Sequence, residues 1–236
     1  MSTTDAFATM RESGVVAVMR GAEPETVVDT AEALVAGGVT ALEVTADTAG
    51  ATDMIATVAA ELGDEALVGA GTVLDSETAR AAIAAGAEFV VSPSFDAGVV
   101  ETCNRYGVLC APGVMTPTEA VEAYEAGAQV VKVFPAKTVG PDHVAALKGP
   151  LGQLEIMPTG GVSPDNAGDY IEAGAAPVGA RPPPRAPAGE GAGREGAPRG
   201  SRRRTTTRPR VAGPKNTTPS GPVTSHPTTP VSFTHL

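Results

Sequence analysis

The feature that most constrains this chain is an alternation. Short apolar, β-branched runs recur at 15–20, 41–45, 66–72, 88–93, 108–113, 129–135, 154–161 and 175–180. Between them lie Ala/Glu-rich stretches with helical spacing near 24–37, 51–62, 75–86, 96–106, 117–127, 141–148 and 164–174. Several carry start and stop signals. Asp75-Ser76-Glu77, Thr116-Pro117-Thr118-Glu119 and Ser163-Pro164 open helices, and the Ala-Gly pairs at 85–86, 126–127 and 173–174 close them. The runs are nearly continuous in apolar character, as in strands covered on both faces. Strand–helix alternation implies right-handed crossovers and a parallel sheet. Eight repeats predict an α/β fold of the closed (β/α)8 TIM-barrel type rather than an open sheet. A short helix at 3–12 is expected to cap the bottom.

Composition fits a packed barrel. The chain is 42% hydrophobic but has five Phe, three Tyr and no Trp, so Ala, Val, Leu and Ile must fill the core. No apolar run reaches the ~18 residues of a spanning helix. The first residues lack a basic stretch followed by an apolar one, which predicts no secretory signal. Two cysteines, Cys103 and Cys110, are too few for a disulfide scaffold and match no zinc spacing. A reduced, cytoplasmic location is the expectation.

The character of the chain breaks near Ala180. Residues 1–180 hold seven basic and twenty-five acidic side chains, a net of −18. Residues 181–236 hold ten basic and two acidic ones, a net of +8. An acidic body repels nucleic acid and anionic membrane and suits a salt-adapted protein. The second segment begins RPPPRAPAGEG and continues in Arg, Pro, Gly and Thr. It has too few apolar residues to offset the entropy of ordering, so it reads as a disordered basic tail following a domain at 1–180.

In a barrel of this kind chemistry sits where strands end and the following loops begin. The polar residues there are Arg20, Glu43, Thr45, Asp47, Thr72, Ser92, Lys132 and Thr159. Lys132 interrupts the apolar run Val130–Phe134. Burial disfavours an ammonium, and a neutral amine can attack a carbonyl to form a Schiff base. The plainer reading is a lysine paired with a strand-end carboxylate. Glu43, also mid-strand, is either the general acid/base beside that amine or the second half of a buried pair. Gly160-Gly161 offer bare N–H groups to an anion at the start of a helix, or simply make a tight turn. Gly69-Ala70-Gly71-Thr72 allows close backbone approach and offers a hydroxyl. Lys137 and Lys148 read as solvated charge. His143, the one histidine of the body, reads as exposed, which leaves no material for a zinc site or a Ser/His/Asp triad.

Together these residues resemble the 2-keto-3-deoxy-6-phosphogluconate aldolase / 4-hydroxy-2-oxoglutarate aldolase family. The likeness rests on Gly37-Gly38-Val39 with Leu42-Glu43-Val44-Thr45, on Gly69-Ala70-Gly71-Thr72-Val73-Leu74, and on Ala85-Gly86-Ala87-Glu88-Phe89-Val90-Val91-Ser92-Pro93. It continues in Pro112-Gly113-Val114-Met115-Thr116-Pro117, Lys132-Val133-Phe134-Pro135-Ala136 and Pro158-Thr159-Gly160-Gly161-Val162. The resemblance implies a class I aldolase without metal or cofactor, a homotrimer acting on a small keto acid. It makes Lys132 the Schiff-base lysine and Glu43 the proton shuttle. It gives the pyruvate carboxylate to Thr72, the pocket walls to Pro93 and Phe134, and the phosphate to the Thr159-Gly160-Gly161 turn.

Two departures stand out. Many members carry an Arg shortly after Glu-Val-Thr; here that position is Asp47, and Arg20 on strand one is the substitute cation for the carboxylate. The family also continues after Val-Gly-Ala with Gly-Ser, whose serine helps bind phosphate, and an eighth helix. This chain continues Arg181-Pro182-Pro183-Pro184. Its GC-rich residue usage reads as a frameshift or sequencing error, against a rival reading as an RNA- or membrane-binding tail. Without an eighth helix, apolar barrel surface beside strands one, seven and eight is expected to lie uncovered.

Overall fold

The computed structural model of the chain describes residues 2–182. A helix, α1 (Thr3–Ser13), precedes a run of strands and helices: β1 (Val15–Met19), α2 (Val27–Ala36), β2 (Ala41–Thr45), α3 (Ala51–Leu62), β3 (Leu67–Gly71), α4 (Ser76–Ala84), β4 (Phe89–Val91) and α5 (Ala97–Tyr106). The run continues through β5 (Leu109–Ala111), β6 (Gly113–Val114), α6 (Pro117–Glu125), β7 (Val130–Val133), α7 (Ala136–Lys148), β8 (Glu155–Pro158), α8 (Ala167–Glu172) and β9 (Val178–Ala180).

All pairings between strands are parallel. One sheet runs β5-β4-β3-β2-β1-β9 and the other β6-β7-β8. The two close on each other at both seams. β5 and β6 are one stave interrupted at Pro112, whose carbonyl accepts from Lys132 N–H at 2.8 Å. At the other seam Thr159 bridges to Gly179 in parallel. The result is the eight-staved barrel that the alternation predicts.

Side chains along each strand alternate between two cores. Ala17, Leu42, Val44, Val68, Ala70, Val90, Val131 and Val133 face the helix layer. Val16, Ala41, Leu67, Phe89, Leu109, Val130 and Met157 face inward, where Ala6 and Met10 of α1 plug the bottom. The bottom is therefore filled with apolar volume, and the upper end is left for polar side chains.

Local signals act where expected. Asp75 Oδ1 accepts from Thr78 N–H at 2.6 Å and caps α4. Thr116 and Glu119 form a capping box on α6, with Pro117 in its first turn. Three helix starts differ from the sequence reading, and of these α2 begins at Val27 rather than near 24. α7 starts at Ala136 rather than near 141, with a non-helical break at Gly140 (φ +75°) just before Pro141. α8 starts three residues late because Ser163 N–H donates to Asn166 Oδ1 (2.8 Å) while Asn166 Nδ2 donates to Gly161 carbonyl (3.0 Å). Those bonds hold 163–166 as a turn.

No helix follows β9 among the described residues. An open groove of about 740 Å³ lies between β1 and α2, with Met19, Ala22, Ala33 and Leu34 on its walls. The expected Pro/Arg/Thr-rich tail beyond Pro182 lies outside the described residues. No helix among the described residues is long and apolar enough to cross a membrane.

Candidate active site

The upper end of the barrel holds a cavity of about 510 Å³ lined by Arg20, Glu43, Lys132, Phe134, Thr159, Gly160, Gly161 and Arg181, among others. Strand alternation explains why these side chains meet. Glu43 lies two residues beyond Ala41, and Lys132 two beyond Val130, both inward-facing positions.

Lys132 and Glu43 are both buried, at 5% and 1% exposure. Neither makes an ion pair within 4.0 Å among the described residues. The plainer reading of a directly bonded pair is therefore not what the fold builds. Burial pushes the Lys132 amine below the ordinary lysine range; Glu43 opposes that and Arg20 adds to it. Burial pushes the Glu43 carboxyl up, against the attraction of Lys132 and Arg20. Both shifts favour the neutral forms, an amine able to attack and a carboxyl able to exchange a proton. One carboxylate oxygen of Glu43, Oε2, is buried without a partner among the described residues. The Lys132 Nζ lies 4.9 Å from the centroid of the Phe134 ring, which forms one wall.

At the rim, three strand ends converge. Arg20 Nη1 pairs with Asp47, and Arg20 Nη2 donates to Thr72 Oγ1 at 2.7 Å. Strand alternation would turn Thr72 toward the helices. Instead Thr72 adopts a left-handed backbone (φ +57°), the one non-glycine with positive φ among the described residues, and its hydroxyl meets Arg20. A β-branched residue there is strained, and such strain concentrates at functional positions.

Other expected residues fall differently. Pro93 is not on the cavity wall; its carbonyl group packs where a side chain on Gly113 would lie. Ser92 is buried without a side-chain hydrogen-bond partner among the described residues, on the strand face of Val90 that looks outward to the helices. Thr45 bonds locally to Thr48 at 3.0 Å. Gly160-Gly161 do not stand at a helix N-terminus, because α8 begins at Ala167. Their positive φ of 90° and 86° makes a turn with no side chains, facing Phe134 and Lys137. His143 is half-buried rather than exposed, with Nε2 2.7 Å from the Met115 carbonyl. Lys148 is not plain solvated charge: its Nζ donates to Leu154 carbonyl at 2.6 Å. Lys137 is exposed, as expected.

The sequence reading took Gly71 as room for close ligand approach and Arg181 as the start of the tail; both contribute to the site in other ways. Gly71 sits where any side chain would collide with the Glu43 carboxylate. Arg181, at the end of β9, enters the same cavity. Alternation along β3 from Leu67 and along β9 from Gly179 turns both positions inward.

The family model for KDPG and KHG aldolase matches residues 7–181. The chain belongs to this family. Its relatives are aldolases, carbon–carbon lyases, and the chain is a lyase of that class. It is 40% identical over 166 residues to 2-dehydro-3-deoxy-phosphogluconate aldolase of Treponema pallidum, covering 70% of this chain and 79% of that protein. It is 35% identical over 166 residues to 2-dehydro-3-deoxy-6-phosphogalactonate aldolase of Escherichia coli, covering 70% and 81%. Among solved structures, KDPG aldolase of Legionella pneumophila, with pyruvate captured at low pH as a covalent carbinolamine intermediate, superposes with a TM-score of 0.70 at 32% identity. That match covers 74% of this chain and 85% of the Legionella chain.

Proposed function

We propose that residues 1–180 form a class I aldolase that cleaves 2-keto-3-deoxy-6-phosphogluconate to pyruvate and glyceraldehyde 3-phosphate through a Schiff base on Lys132. The observation that carries this reading is a buried amine and a buried carboxyl facing one cavity with, among the described residues, no ion pair within 4.0 Å for either.

Lys132 Nζ, uncharged, adds to the C2 carbonyl to give a carbinolamine; the neutral Glu43 carboxyl protonates its hydroxyl, water leaves, and a protonated imine faces the Glu43 carboxylate. Glu43 takes the proton of the C4 hydroxyl. The C3–C4 bond then breaks, its electrons pass into the imine, and the aldehyde leaves. Glu43 returns the proton to C3 of the enamine, and water releases pyruvate from Lys132. The iminium is the electron sink, so no metal or organic cofactor is required. Arg20 and Thr72 suit the carboxylate, Phe134 forms one wall, and Thr159, Gly160 and Gly161 suit the far phosphate.

The family description also covers 4-hydroxy-2-oxoglutarate, whose cleavage would give pyruvate and glyoxylate by the same steps. The galactonate relative, at similar identity, makes the C4 configuration a second variable. A homotrimer in the cytoplasm completes the reading.

Borohydride reduction in the presence of pyruvate tests it. A pyruvyl adduct on the Lys132 peptide, with release of pyruvate from the phosphorylated keto acid, is expected. Cleavage with Lys132 unmodified would overturn the mechanism.

A further inference from the structure

Resting on that reading, the geometry points to Arg181 as the residue that recognises the anionic far end of the substrate. Gly179 faces the barrel interior, because a side chain there would strike Thr159. Alternation brings the next inward position on this stave to Arg181, which lines the cavity of Lys132 and Gly160-Gly161. Its Nη2 donates to the Arg20 carbonyl at 3.2 Å. That bond ties the guanidinium from the end of β9 to the end of the neighbouring β1 and leaves its other N–H groups for a ligand.

The surroundings on this side of the cavity select an oxyanion. Among the described residues, the Gly161 N–H group donates no hydrogen bond. The Thr159 hydroxyl on this turn belongs to a residue only 6% exposed and has no partner among the described residues. Residues 2–182 contain eight basic side chains in a strongly acidic chain, and three of them, Arg20, Lys132 and Arg181, line this one cavity. Arg20 is already committed to Asp47 and Thr72. Arg181 is therefore the cation available to a second anionic group, and a guanidinium matches a phosphate with paired N–H donors.

The test compares wild type with Arg181→Gln and Arg181→Lys in the full chain, with two readouts. Steady-state cleavage of 2-keto-3-deoxy-6-phosphogluconate engages both ends of the substrate. Borohydride trapping of pyruvate engages Lys132 and the carboxylate end alone. For Arg181→Gln, kcat/KM on the phosphorylated substrate is expected to fall about tenfold or more, on the scale of a lost charge-assisted hydrogen bond. The pyruvate concentration for half-maximal trapping should stay unchanged. Arg181→Lys should recover part of the loss, and inorganic phosphate should compete less well against substrate in Arg181→Gln. Unchanged cleavage, or an equal loss in cleavage and trapping, would remove this role from Arg181 and leave the aldolase standing. No trapping in the wild type would remove both.

Discussion

The carboxylate of Glu43 occupies the space that a side chain on Gly71 would need. The two lie on neighbouring staves, β2 and β3, and the absent Cβ lets Glu43 reach the cavity. Gly71→Ala must displace that carboxylate or the strand, at a cost of about 1–3 kcal/mol for an overpacked core position. We expect a drop in kcat on the keto acid with pyruvate trapping on Lys132 largely retained. Retention of full turnover would show that Glu43 does not act from its observed position.

Lys132→Met removes the amine and keeps the volume. Turnover should fall by at least about 10⁴-fold, the scale of losing an essential nucleophile, and borohydride trapping should vanish. Stability should move the other way. The folded-state pKa of Lys132 lies below its ordinary value of 10.5, so the unfolded chain binds the extra proton and burial of the lysine costs stability below that pH. A melting series should find Lys132→Met more stable near neutral pH, with the gain shrinking as pH rises toward 10.5.

Glu43→Gln inverts the pH dependence. The folded-state pKa of Glu43 lies above its ordinary value of 4.5. Between the two, the folded state holds a proton that the unfolded chain has released, so wild-type stability falls as pH rises through this window. The variant lacks that penalty. Its melting temperature relative to wild type should increase from pH 4.5 upward and then level off. Its turnover should drop by about 10²–10⁴-fold, as for loss of a general acid/base.

Arg20→Ala separates substrate binding from a surface ion pair. Arg20 and Asp47 are roughly half exposed, so their pair is worth at most about 1 kcal/mol and the melting temperature should barely move. The pyruvate concentration for half-maximal trapping should rise about tenfold or more if the guanidinium holds the carboxylate. An unchanged pyruvate dependence would return Arg20 to a purely structural pairing.

Thr72→Gly relieves the left-handed backbone and removes the hydroxyl. Thermal unfolding should show a gain of about 1 kcal/mol from the released strain, together with weaker pyruvate binding. A loss in both would mean that the Arg20–Thr72 hydrogen bond outweighs the backbone term.

Much of this molecule was legible beforehand because burial leaves a chemical mark on sequence. A lysine among valines and a glutamate between Leu42 and Val44 are anomalies that a strand tolerates only with a reason. Asp75 and the Thr116–Glu119 box announce helix starts because capping is local. Ser163 misled for the same reason: it looks like a cap, yet Asn166 captures its N–H and turns the chain first. His143 and Lys148 were misjudged because their acceptors, the carbonyls of Met115 and Leu154, lie outside their own helical faces.

The sequence alone determined the barrel, its bottom plug and the two charged positions within apolar strands, since these follow from periodicities of two and 3.6 and from the cost of burying charge; that Lys132 faces the interior rather than the helix layer was decided by the fold. Tertiary structure alone decided which strand ends touch. Arg20, Asp47 and Thr72 are brought together by the staggered closing of three staves and one strained backbone angle. Gly71 makes room for Glu43, and Arg181 reaches the cavity only because the last stave returns beside the first. Such contacts join residues far apart along the chain, and one-dimensional spacing carries no term for the distance between them.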